Sequence, residues 1–152
     1  MLVDAQRFLA LWRKDPHHGV IARGDPSSWR LDRKFQYAGA GFDAGPTNPV
    51  PLARVVCQRW VRGGFAQIRN RVPAQLARIV PWPRFNFVGF CDGITRTIWL
   101  LSHGADAFPV ICDRSDGAMT LCELAGYPQF PAESAATIVE RLLTEQPFAT
   151  DR

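Results

Sequence analysis

A chain of 152 residues, 47% hydrophobic and 21% charged, has the balance of a globular protein and the length to bury a core. No apolar run reaches the roughly 18 residues of a membrane-spanning helix, so membrane insertion is not expected. The net charge of +4 favours anionic partners over cationic ones.

The N-terminal stretch MLVDAQRFLALWRKD mixes acids and bases within a turn. It lacks the basic-then-apolar layout of a signal peptide, which places the protein in the cytoplasm as an expectation. Leu2, Phe8, Leu9, Leu11 and Trp12 form an apolar stripe at helical spacing, with Asp4 as the cap. A helix is expected over 3–14, ended by Asp15-Pro16. From 17 to 51 the chain is rich in Gly, Pro, Asp and Asn, and a long loop is expected, with one short turn around 28–33. His17 and His18 lie in it and read as solvated rather than metal-binding.

Residues 52–61, LARVVCQRWV, read as a strand, and Gly63-Gly64 as a turn. Residues 65–80 read as a helix broken at Pro73, with Leu76, Ile79 and Val80 on its buried side. Residues 84–91, RFNFVGFC, alternate like a strand. Residues 94–103 read as a helix stopped by Gly104, and 107–112 as a strand whose Pro109 suits an edge. Residues 119–125 give no clear signal. The C-terminal helix is expected at about 132–143. The fold class that follows is α+β: a small mixed sheet with flanking helices, in one domain over 1–152. The four cysteines, Cys57, Cys91, Cys112 and Cys122, show no paired metal-ligand spacing and are expected to be buried thiols.

Residues 44–91 hold seven arginines (Arg54, Arg59, Arg62, Arg69, Arg71, Arg78 and Arg84) and no acid, whereas residues 92–152 hold nine acids. Arg codon bias accounts for the preference over Lys, but not for 48 residues without a carboxylate. These arginines are candidate contacts for the backbone of DNA, without sequence specificity, or for an acidic protein.

The stretch FCDGITR, Phe90 to Arg96, carries the local chemistry. A strand that passes through Asp-Gly into a helix aims free backbone N–H groups outward, where the helix dipole favours an anion. Gly93 allows the sharp turn, Thr95 offers a hydroxyl, and Arg96 adds a forked cation for phosphate. Asp92 is positioned to accept from a helix N–H or to hold a divalent metal bridging phosphates. A plain turn with a cap and a surface ion pair is the alternative reading of the same residues. Asp113 is a weaker metal-ligand candidate. His103 is a candidate base, although a His at a helix end more often bonds carbonyls.

Gly93, Thr95, Arg96, Gly104, Pro109 and Val110 together resemble the core signature of the ParB/sulfiredoxin superfamily. There a strand leads into a Gly-x-x-Arg box, a short helix, a Gly and a second strand. The resemblance implies that the box cradles nucleotide phosphates, with Gly93, Thr95 and Arg96 binding and Asp92 and Arg96 in catalytic roles. Thr95 departs from the His or Arg that the superfamily's enzymes often carry. Three blocks, VDAQRFLALWRKDP, WRLDRKFQYAGAGFDAGPTNPVPLA and DGITRTIWLLSHGADAFPV, are similar to the plasmid fertility inhibition factor family of the Osa and FiwA type. That family carries a strand or hairpin ahead of the first block, so either the sheet is expected to lack a strand here or the start codon to lie upstream.

The resemblance implies a protein that blocks DNA transfer by a conjugative type IV secretion system, near the coupling protein. It implies ATP or another nucleotide with Mg²⁺ as cofactor, and ATPase or DNA-cleaving activity. A non-enzymatic alternative is an interaction protein that occupies a coupling-protein or relaxase surface. The aromatics of the 17–51 segment, Trp29, Phe35, Tyr37 and Phe42, with Arg30 and Arg33, would then form the contact. The bland reading is that those aromatics pin the segment to the core.

Overall fold

The computed structural model describes every residue except 18, 62–69, 78–82, 128, 131 and 146–152. Four strands form one mixed sheet in the order β1-β4-β2-β3. These are β1 (Leu2–Asp4), β2 (Ala53–Val61), β3 (Arg84–Asp92) and β4 (Ala107–Cys112). β2 and β3 form a long antiparallel ladder, from Arg54 opposite Asp92 to Val61 opposite Arg84. β4 runs parallel to β2, and β1 closes the other side antiparallel to β4. Residues 2–4 form the outer strand β1 at this edge of the sheet. The helix expected over 3–14 therefore begins at Ala5 (α1, Ala5–Trp12), because Val3 pairs with Phe108 before the chain turns. Asp4 caps α1 by accepting from the Arg7 N–H at 2.8 Å.

Register places Val55 beside Phe90 and Cys57 beside Val88, so these side chains share one face of the sheet. Phe8 of α1 meets Phe90 and Phe108 edge-on, and Trp12 meets Phe90. A helix over Ser115–Ala125 lies against the same face. A β-carbon on its Gly117 would sit 3.0 Å from the Cys57 carbonyl oxygen, so glycine permits the close approach.

Residues 17–51 are not a loop. They form α2 (Gly19–Ala22), α3 (Pro26–Trp29), α4 (Phe35–Asp43) and a 3₁₀ turn at Gly45–Thr47. Asp25 caps α3, accepting from the Ser28 N–H while Ser28 Oγ accepts from the Asp25 N–H. Trp29 and Phe35 are buried in the core, so they pin this segment rather than face a partner. After β2 comes α5 (Ala74–Ala77), where Leu76 is exposed, contrary to its expected buried role. The rest of the helix expected over 65–80 lies largely outside the described residues, as do Ile79 and Val80.

Between β3 and β4 runs α6 (Ile94–Ser102), and Gly104 follows in the left-handed conformation. α6 packs on β2, α3 and α4. Ser115–Ala125 is α7, which includes the stretch 119–125 that carried no clear signal, and the last helix is α8 (Ala135–Glu145). Of the four thiols, only Cys57 is buried. Cys91 is exposed, and Cys112 and Cys122 are half-buried, which corrects the expectation for those three.

Candidate functional site

β3 ends at Asp92, and the chain turns through Gly93 directly into α6. Gly93 has φ +93°, and a β-carbon there would lie 2.7 Å from both Cα and Cβ of Ala53. Glycine is demanded twice, by the left-handed backbone and by the closeness of β2. Thr97, buried one turn into α6, donates its hydroxyl to the Gly93 carbonyl at 3.1 Å and fixes the turn. The Gly93 N–H donates to Asp92 Oδ1 at 2.7 Å. The N–H groups of Ile94, Thr95 and Arg96 find no acceptor among the described residues.

Arg96 does not reach outward. Its guanidinium folds back over Gly93 and meets Asp92 Oδ2 at 2.5 Å. Both oxygens of Asp92 are thus engaged. Burial pushes this carboxyl up. The Arg96 and Gly93 hydrogen bonds, with the charges of Arg96 and Arg54, outweigh that and hold it below the ordinary carboxylate range. Arg54, at the start of β2, is itself tied to Asp113 at 2.9 Å. Arginines and aspartates therefore alternate across this end of the sheet as Arg96, Asp92, Arg54 and Asp113.

This turn forms one wall of a cleft of about 850 Å³. The opposite wall comes from the turn before α4 and its first residues: Arg33, Lys34, Tyr37 and Ala38. The irregular stretch Asn48–Pro51 also lines the cleft. α4 is held in place by Phe42, stacked on Trp99 of α6 at 4.4 Å, and Trp99 in turn stacks on His103 at 3.9 Å. His103 Nδ1 lies 2.7 Å from the Trp99 carbonyl oxygen, so this His closes the helix end.

The structure thus brings together Asp92, Gly93, Thr95 and Arg96. It leaves the basic candidates spread out. Arg54 is beside Asp92, whereas Arg59 and Arg84 stand exposed at the far end of the β2–β3 ladder. Arg71 is exposed near α5, and Arg62, Arg69 and Arg78 lie outside the described residues. Among the described residues no group of three His, Cys, Asp or Glu side chains is arranged to hold a metal ion. One carboxylate fits a Mg²⁺ held chiefly by a ligand's phosphates, not one held by a cage of protein oxygens. Lys34 and the Asn48–Pro51 wall were missed in the sequence. Their signal was Phe35, Ala38 and Phe42 at helical spacing, which makes residues 35–43 a helix and aims its start at the Gly93 turn.

Fold and turn together define a small α+β protein built around a strand–glycine–helix cleft. A family model for the plasmid fertility inhibition factor matches residues 1–126, and the chain belongs to that family. The protein osa of Shigella flexneri is 34% identical over 95 residues, which are 62% of this chain and 39% of that protein. The crystal structure of the oncogenic suppression activity protein, described as a plasmid fertility inhibition factor and solved as a gold(I) cyanide derivative, superposes with a TM-score of 0.68. It is 25% identical, and the match covers 94% of this chain and 63% of that one. The chain therefore spans less than two thirds of either relative's length.

Proposed function

We propose that this protein inhibits the transfer of DNA by a conjugative type IV secretion system, and that it does so by binding a nucleotide in the Gly93 cleft and acting on DNA. Family membership supports the inhibition. The observation that carries the nucleotide reading is the cleft itself. Its volume of about 850 Å³ is that of a small-molecule site, and it is lined by three cationic side chains against one carboxylate. Unsatisfied N–H groups of the first turn of α6 seat a phosphate, and Arg96 adds charge once it exchanges Asp92 for phosphate oxygens. Phosphoryl chemistry at such a site relies on positioning and charge neutralisation. A Mg²⁺ carried by the nucleotide would neutralise phosphate charge, with Asp92 as its protein ligand.

DNA contact is assigned to the exposed arginines Arg59, Arg71 and Arg84, which bind the backbone without reading sequence. Coupling protein and relaxase are the partners that transfer inhibition makes relevant. The reading in which the protein only covers their surface loses most of its aromatic contact, because Trp29 and Phe35 are buried and Phe42 is stacked on Trp99. The test mixes purified protein with linear DNA, ATP and Mg²⁺, and follows phosphate release and DNA length. Release of phosphate or shortening of DNA, lost in Arg96→Ala, is the expected result. No change in either, while inhibition persists in cells, would favour surface occupation.

A further inference from the structure

We propose that the wall of the cleft opposite Gly93 selects the ligand: Arg33 and Lys34 hold the charge of a polyphosphate, and Tyr37 seats the ring of a nucleobase. This rests on the nucleotide reading above and assigns residues to it. On the Gly93 wall, Arg96 is neutralised by Asp92 at 2.5 Å, so that wall offers free N–H groups but little net charge before a ligand arrives. Arg33 and Lys34 are exposed, and neither side chain has a carboxylate partner among the described residues. The net positive charge of the cleft is therefore theirs.

A second cavity of about 680 Å³ has no such excess of positive charge in its lining, which holds Arg59 and Arg114 together with Asp116 and Glu123. Tyr37 is 72% exposed, stands one turn along α4 from Arg33 and Lys34, and lines the same cleft. None of the ring contacts among the described residues involves it. An exposed phenol ring beside unpaired cations suits a ligand that is both flat and anionic. A bare phosphate would leave Tyr37 unused.

The experiment titrates the full chain by calorimetry with two probes, ATP and inorganic tripolyphosphate, and checks each variant's fold by its thermal melt. The Arg33→Gln/Lys34→Gln variant is expected to bind both probes at least about ten-fold more weakly, because both carry the charge these residues meet. Tyr37→Leu is expected to weaken ATP about five-fold or more and to leave tripolyphosphate unchanged, and Tyr37→Phe to restore ATP. Wild-type affinity for both probes in a folded Arg33→Gln/Lys34→Gln variant, with binding lost in Arg96→Ala, would overturn the assignment and leave the nucleotide reading standing. Equal loss of both probes in Tyr37→Leu, or no loss, would overturn the ring seat. Failure of the unaltered protein to bind ATP would overturn this proposal together with the reading on which it rests.

Discussion

Gly93 and Arg96 share one turn, and substitution at each has a different consequence. Gly93→Ala puts a β-carbon into Ala53 and forces an L side chain into a left-handed backbone. The backbone alone costs about 1–3 kcal/mol. With the clash added, the melting temperature should fall by several degrees. Arg96→Ala removes an ion pair whose carboxylate side is largely in water, and stability should change by only about 1 kcal/mol. A melt that drops as far for Arg96→Ala as for Gly93→Ala would make Arg96 a structural residue.

Asp92 sets a pH window. Its folded pKa is depressed, so its contribution is present above the unfolded carboxylate value of about 3.9 and is lost as pH falls through the lower folded value. Carboxyl-carbon NMR should find Asp92 ionised down to that range, and Arg96→Ala should raise its pKa. Burial, with the neighbouring Cys112, pushes the Cys57 thiol up to about 11. At pH 8 roughly one Cys57 in a thousand is then thiolate. A brief alkylation read by mass spectrometry should label exposed Cys91 first and Cys57 last.

At the scale of elements, α4 and α6 are joined by stacked rings, and that joint sets the width of the cleft. Phe42, Trp99 and His103 form two stacked contacts, at about 0.5–1.5 kcal/mol for an aromatic pair. Trp99→Ala should lower the melting temperature and weaken ATP binding, although Trp99 does not line the cleft. Unchanged ATP affinity in a destabilised Trp99→Ala would separate α4 from the site.

The same elements show what could be read from the chain. Strand 84–92, helix 94–102 and strand 107–112 were legible because Asp92-Gly93 and Gly104 punctuate them and their apolar spacing is regular. α2 and α3 are four residues each, too short for a period to appear. α4 contains Gly39 and Gly41, which oppose helix by propensity, yet a β-carbon at 39 would lie 3.3 Å from Trp99 Nε1. Packing overrides propensity there. Gly117 hid α7 in the same way, because contact with β2 excludes a larger residue. Asp92, Gly93, Thr95 and Arg96 could be found from local chemistry. Lys34 was harder to find, since it joins them only through the fold of a Gly- and Pro-rich segment in which the helical spacing of Phe35, Ala38 and Phe42 is the single clue.

Across the whole molecule, the acid-free stretch from 44 to 91 divides in two. Arg54 is held by Asp113 at the cleft end, while Arg59 and Arg84 are exposed at the other. Weak, unspecific DNA binding through the three exposed arginines Arg59, Arg71 and Arg84 should give a log–log salt slope of about −3 on duplex DNA. Arg59→Ala and Arg84→Ala should each reduce the slope by about one, and Arg54→Ala should leave it nearly unchanged. Binding that is flat from low to high salt would remove the electrostatic account. If the Gly93 cleft, and not the outer surface alone, produces transfer inhibition, Arg96 is required for it in cells. The most direct measurement is the frequency of conjugative transfer from donor cells carrying wild-type protein or Arg96→Ala at matched levels. Arg96→Ala, folded and present, should fail to inhibit, with Arg96→Lys restoring inhibition only in part because Lys lacks the planar fork. Full inhibition by folded Arg96→Ala would instead place inhibition on the outer surface.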